Sequence, residues 1–393
     1  MLYQVATGGL EPDSIAYPLR KVIKNLSNFY FRLTEVLTID SEKRKIHTTI
    51  GKLKYDYLII ATGSKPHKFG WPGQDLKGVV SLYHKQDLDA IETYAPNNSV
   101  CKRAVIVGGG LIGIELAEMF HSRHIPVTFL VREQSYWSAI LPSGESQMIT
   151  NEIRKNGINL RLESNLKHIN ADENGRVKSI VIAETGEEID CDIVGLTAGV
   201  SPNIGFLESS GIETNRGVLV DQNLQTNIKD IYAIGDCAEQ RNAVEGRRPI
   251  EAVWYTGRIM GETVAQTICK KETQYTPGHW FNSAKFFDIE YQTYGTVTST
   301  PVYEEEQQLF WKHPKKNNSI RLSFNPSTNT LLGCITMGVR LRHSVFDEWL
   351  TNKEPMDSVI KNFKTANFDP EFYPTYEKEL TMEWETLKRH NNP

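Results

Sequence analysis

Between residues 54 and 234, short apolar runs alternate with stretches in which apolar residues recur every three or four positions. Short runs bounded by Gly, Pro or Asn read as buried strands, and the longer periodic stretches read as helices. Strands are therefore expected over 54–61, 103–107, 127–131, 159–161, 177–183, 192–197, 217–220 and 231–234. Helices are expected over 87–95, 111–122 and 145–155, with another starting near 249–254. Strands alternating with helices predict an α/β fold built on a parallel sheet. Beyond about residue 270 the texture changes to alternating aromatic and polar positions, as over 286–294. The turn Asn325-Pro326-Ser327-Thr328-Asn329 separates two more strand-like runs, and 345–350 has one apolar face. A separate α+β domain follows over 271–393. Its charged tail, 377–393, reads as a solvated helix with a frayed end.

Composition narrows the class without changing this picture. At roughly 100–200 residues per domain, 393 residues hold two or three domains. Hydrophobic residues at 39% and charged residues at 23% are ordinary for a globular enzyme. A net charge of −4 argues against nucleic-acid binding, which needs a basic face. No apolar run approaches the roughly 18 residues of a membrane span. Met1-Leu2-Tyr3-Gln4-Val5-Ala6 carries no basic lead, so no signal peptide is read and a cytoplasmic location is expected. The five cysteines are scattered, with no CxxC or CxxxxC pair. That spacing argues against a disulfide framework, a zinc cluster or a redox-active dithiol, and no metal site is expected.

The strongest chemical signal follows the strand at 103–107. Gly108, Gly110 and Gly113 have GxGxxG spacing and open the 111–122 helix. Such a loop turns tightly at the first glycine, admits a pyrophosphate at the second and packs helix on strand at the third. The helix N-terminus then offers N–H groups and a partial positive charge to phosphate. The following strand ends at Val131, where Arg132 and Glu133 are the candidates to meet the ribose. Glu133 would hold a 2′-hydroxyl and Arg132 would pair with a 2′-phosphate, so NADH and NADPH both stay open.

A second signal is Ile231-Tyr232-Ala233-Ile234-Gly235-Asp236-Cys237, with Ala61-Thr62-Gly63 upstream. Together with the glycine loop these resemble the fingerprints of the pyridine-nucleotide-dependent FAD oxidoreductases. The resemblance implies two interleaved Rossmann-like dinucleotide-binding domains plus the C-terminal α+β domain. It places the FAD domain over 1–100 and 215–270, and the NAD(P) domain over 101–214. It implies FAD and NADH or NADPH as cofactors. Asp236 would hold the ribityl hydroxyls, with Gly235, Thr62 and Gly63 beside it, and Gly199 in the loop near the nicotinamide. Glu115 would stand near the nicotinamide–flavin contact, with Glu251 and Trp254 heading a helix at the flavin's pyrimidine end. Residues 100–393 resemble rubredoxin and ferredoxin reductase-like members, in which the segment that starts at Trp280 passes the flavin, so Trp280 would lie beside the cofactor. Residues 1–60 resemble type II NADH dehydrogenases.

Members of this family begin with a GxGxxG unit that binds FAD, and the chain has none before residue 100. The FAD domain is thus expected to be incomplete. The resemblance implies hydride transfer from nicotinamide to flavin and onward transfer to a quinone or a small redox protein. The alternative is a truncated protein that holds NAD(H) but little FAD and is inactive. A homodimer is compatible with the third domain. Membrane contact through Leu380, Met382, Trp384 and Leu387 in the tail is the weaker expectation, because that stretch is also acidic.

Overall fold

The computed structural model describes residues 5, 10–15, 18–302 and 304–391. The chain divides into two compact units. The first holds the described residues of 8–67 and 199–278, and the second those of 68–198 and 279–391 together with residue 5.

In the second unit, a five-stranded parallel sheet has the order Val79–Val80, Ile193–Leu196, Ala104–Val107, Val127–Leu130, Asn159–Arg161. Ala104 to Val107 are all buried, because both faces of this sheet are covered. Ala104 and Ile106 pack against the Leu111–Ser122 and Ser143–Lys155 helices. Val105 and Val107 face a three-stranded antiparallel sheet that contributes Leu166, Ile169 and Ile180. Alternation along one strand therefore feeds two cores.

A five-stranded antiparallel sheet follows, in the order Phe281–Phe286, Ile289–Gly295, Thr330–Met337, Ser319–Asn325, Gln307–Lys312. The 286–294 run is a hairpin, with Phe287 at φ 53° in its turn. One face of this sheet sends Phe286, Ile289 and Tyr291 into the core under the parallel sheet. The other is covered by the His343–Thr351, Met356–Asn362 and Glu377–Asn391 helices. The last helix is a correction. Leu380 is 0% and Trp384 4% exposed, so the tail is packed on the sheet and not solvated. Leu380, Trp384 and Leu387 recur at i, i+4 and i+7 and form one apolar stripe. Of the four residues considered for membrane contact, Leu380 and Trp384 are thereby spent on the core. No helix among the described residues is long and apolar enough to cross a membrane.

The first unit carries two parallel strand pairs, Leu58–Ile60 with Ile231–Ala233 and Val218–Val220 with Ala238–Gln240. It also has an antiparallel pair, Ser64–Pro66 with Val200–Pro202, and a meander over Val36–Asp40, Lys45–Thr48 and Gly51–Lys54. The Trp254–Ile268 helix buries Met260 and Val264 against Ile60, Val218 and Ala233. The pairing of Val200–Pro202 with Ser64–Pro66 puts 199–214 in this unit rather than with 101–198. The α/β class stands as the sequence predicts, and the C-terminal segment has its α+β elements, but 279–391 clusters in one unit with 68–198 and 271–278 lies in the first unit.

Candidate functional site

In the second unit, the three glycines after Ala104–Val107 differ in why glycine is there. Gly108 has φ +116°, and a Cβ would stand 2.7 Å from the Thr197 backbone. A Cβ on Gly113 would meet the Gly108 carbonyl oxygen at 2.3 Å and the Phe129 ring at 2.9 Å. These two glycines answer to packing. Gly110 does not: its φ of −96° suits any residue, and a Cβ there would meet nothing closer than the Thr197 oxygen at 4.0 Å. The space over Gly110 opens at the N-terminus of the Leu111–Ser122 helix, whose first N–H groups have no intrahelical acceptor. A bare backbone, unpaired donors and a helix dipole together fit a phosphate group.

Two residues that sequence reading missed hold this loop. The Thr197 hydroxyl lies 3.0 Å from both the Val107 and Gly108 carbonyl oxygens and donates to them. The Tyr136 hydroxyl donates to the Gly110 carbonyl at 2.6 Å. Neither contact leaves a local sequence signal, because the partners lie 26 to 90 residues apart in the chain. At the ribose end, Arg132 Nε and Glu133 Oε1 pair with each other at 2.9 Å. The two residues expected to choose between NADH and NADPH thus present a neutral pair.

Glu115 and Glu118 lie one turn apart on the same helix, half-buried. Burial pushes the Glu115 carboxyl up. It pushes Glu118 up to about 7, although the Phe287 N–H donates to Glu118 Oε1 at 2.6 Å. A carboxyl whose folded-state pKa is raised binds its proton more tightly in the folded protein. The stability this gives is full below the ordinary value near 4.5 and is lost as pH rises through about 7. Denaturant titrations between pH 5 and pH 8 will therefore show stability falling with pH, and Glu118→Gln will flatten that fall. An unchanged slope in the variant would assign the dependence to another group.

In the first unit, Gly235 takes φ +70° with open space where a Cβ would stand. Asp236 accepts from the Ser64 hydroxyl at 2.8 Å. The Thr62 hydroxyl donates to the Asn203 carbonyl at 2.8 Å, and Asn203 N–H donates to the Gly63 carbonyl at 2.9 Å. The Gly199 carbonyl accepts from His67 N–H at 3.0 Å. Thr62, Gly63, Gly199, Gly235 and Asp236 are thus in one unit, with Ser64 as the member missed. The Trp254–Ile268 helix lies against this turn: a Cβ on Gly257 would stand 3.4 Å from Gly235 Cα, in ordinary contact. An aspartate aimed by Ser64, a glycine with open space and a helix set against the turn suit the ribityl end of FAD. No glycine-rich phosphate loop stands among the described residues of this unit.

Glu251 and Trp254, the two residues expected near the flavin's pyrimidine end, also belong to the first unit. Glu251 is 7% exposed, and its oxygens accept from Arg247 Nε at 2.7 Å and Nη2 at 2.5 Å. Its carboxylate is held in that ion pair. Trp254, the first residue of its helix, is 78% exposed with the Arg258 guanidinium over its ring. Trp280 belongs to the second unit and is half-buried just before the Phe281–Phe286 strand.

Comparison with known proteins gives the family and the fold. The sequence profile of the family described as pyridine nucleotide-disulphide oxidoreductase matches residues 1–266. The NAD(P)H sulfur oxidoreductase (CoA-dependent) of Pyrococcus abyssi is 30% identical over 303 residues, covering 76% of this chain and 66% of that protein. The nitrite reductase [NAD(P)H] of Bacillus subtilis is 28% identical over 293 residues, covering 72% of this chain and 35% of that one. The chain thus spans about a third to two-thirds of the length of these relatives. A NAD-dependent persulfide reductase from A. fulgidus has the same fold, with a TM-score of 0.86 at 21% identity over 99% of this chain and 76% of that one.

Proposed function

Because the chain belongs to the pyridine nucleotide-disulphide oxidoreductase family, we propose that it oxidises a reduced nicotinamide dinucleotide and delivers the electrons, by way of FAD, to a small acceptor. The observation that carries this reading is the space over Gly110, where glycine serves neither backbone conformation nor packing. The nicotinamide dinucleotide's pyrophosphate would lie there, against the first N–H groups of the Leu111–Ser122 helix. Arg132 and Glu133 would meet its ribose. FAD, when bound, accepts a hydride and returns electrons to an acceptor. Asp236, aimed by Ser64, would hold the ribityl hydroxyls, with Gly235 and Thr62-Gly63 giving the backbone room.

A redox-active dithiol does not fit, despite the family's name. The cysteines form no CxxC or CxxxxC pair. Cys101, Cys191, Cys237 and Cys334 are buried, and Cys269 is exposed and stands alone in the sequence. Burial pushes the Cys101 thiol up to about 11 and that of Cys191 up to about 12, which keeps both protonated and unreactive. We read the acceptor as a quinone or a small redox protein, as the family resemblance implies.

The test is the visible spectrum of the purified chain with added FAD, followed by anaerobic NADH and, separately, NADPH. A flavin spectrum that bleaches with either nucleotide is expected. Flavin that stays oxidised, or no flavin retained in excess FAD, overturns the reading for this chain.

A further inference from the structure

Tyr136 is a buried side chain on the glycine loop that no sequence motif accounts for. It is 0% exposed, and its backbone is held at both ends by the Ser143–Lys155 helix. Its N–H donates to the Thr150 hydroxyl at 2.9 Å, and its carbonyl accepts from the Ser146 hydroxyl at 2.7 Å. Its ring lies against Phe129 and Phe286, with centroids 5.8 and 6.0 Å away. From that fixed mount the hydroxyl reaches one acceptor, the Gly110 carbonyl, at 2.6 Å. The helical partner of the same carbonyl, the Ile114 N–H, is longer at 3.3 Å. Tyr136 makes the shorter of the two contacts on that oxygen.

The consequence follows from peptide geometry. Glycine at 110 leaves room for a ligand, but it also leaves the backbone free to turn. The peptide unit is planar and trans, so the N–H of Leu111 points opposite to the carbonyl of Gly110. Fixing that oxygen fixes the donor. We infer that Tyr136 is a positioning residue of the nucleotide site: by holding the Gly110 carbonyl it aims the Leu111 N–H at the pyrophosphate of a bound dinucleotide. The inference rests on the nucleotide reading proposed above. Burial raises the phenol well above its usual range, so the hydroxyl stays a donor at working pH. The same residue touches Phe286 of the C-terminal sheet, which ties the loop's geometry to that sheet's seating.

Tyr136→Phe removes the hydroxyl and keeps the ring. Binding of ADP-ribose and of NADH is measured by calorimetry on wild type, Tyr136→Phe and Ser122→Ala, with thermal midpoints for all three. The Ser122 hydroxyl donates to the Met119 carbonyl at the far end of the Leu111–Ser122 helix and touches neither Gly110 nor the mount of Tyr136. The expected result is a Kd raised about 5- to 10-fold for both ligands in Tyr136→Phe, the scale of one aligned hydrogen bond, with near-wild-type affinity in Ser122→Ala. Unchanged affinity in Tyr136→Phe overturns the proposal. So does an equal loss in Ser122→Ala, or a loss that comes with a collapsed midpoint, because Tyr136 then serves the fold alone. Wild type that binds neither ligand removes the nucleotide reading itself, and this inference with it.

Discussion

Gly110→Ala will weaken NADH binding by about 10- to 100-fold, a loss of roughly 1.4–2.8 kcal/mol, while the thermal midpoint hardly moves. Both halves follow from the same coordinates. The backbone at 110 has φ −96°, which alanine adopts without strain. The added methyl would meet no protein atom closer than 4.0 Å, so the folded protein hardly registers it. It would occupy the space through which a pyrophosphate reaches the helix N-terminus. Gly113→Ala, three residues on, should behave in the opposite way. Its Cβ would lie 2.3 Å from the Gly108 carbonyl oxygen and 2.9 Å from the Phe129 ring and the Thr197 hydroxyl. Overpacking of that kind costs about 1–3 kcal/mol or more, so stability and binding should fall together. Calorimetric titration with NADH and thermal denaturation of the two variants make the comparison. A Gly110→Ala protein that binds NADH as wild type does would show that the space over Gly110 is not the phosphate site.

The contrast between those glycines shows how far the sequence could be read. Spacing alone placed Gly108, Gly110 and Gly113 on a strand-to-helix loop, and the helix lies over Leu111–Ser122 as the periodicity predicts. The reason was local: a buried strand, a turn and an amphipathic run follow one another within a few residues. Thr197 and Tyr136 were illegible because they reach the loop through tertiary contacts that no short window contains. The meander over 36–54 escaped notice because its strands are short and half-exposed, with burial patterns that lack clean alternation. The hairpin at Phe287 escaped because the turn has no glycine, and an uninterrupted aromatic alternation hid it. At Glu251 the sequence showed a carboxylate ahead of a helix but not its ion pair with Arg247, four residues earlier. The tail helix misled for a related reason. Its many charges outweighed a stripe of three apolar residues that decides where it packs.

The second large effect concerns what holds the C-terminal sheet to the helix that mounts Tyr136. Glu145, on the Ser143–Lys155 helix, is 0% exposed, and Arg321, on the Ser319–Asn325 strand, is 8% exposed. They pair bidentately, with Arg321 Nε and Nη2 each 2.8 Å from a Glu145 oxygen. Arg321 Nη1 also donates to Gln308 Oε1 at 3.0 Å, and the guanidinium lies 4.0 Å from the centre of the Phe310 ring. Gly144 admits this approach, since a Cβ there would meet Phe310 at 2.7 Å. Glu145→Ala leaves a buried cation without its counter-ion, which costs about 3–5 kcal/mol. At roughly 2–4 °C per kcal/mol for a unit of this size, the thermal midpoint should drop by about 6–20 °C. Because Ser146 and Thr150 of the same helix hold the backbone of Tyr136, NADH affinity should weaken as well. The double variant Glu145→Leu/Arg321→Met separates charge from contact. It removes both buried charges together and keeps apolar volume at the junction, so most of the lost stability should return. A Glu145→Ala midpoint within about 2 °C of wild type, below the cost of one kcal/mol, would mean that water or another group reaches Arg321 and that the pair does not fasten the sheet to the helix.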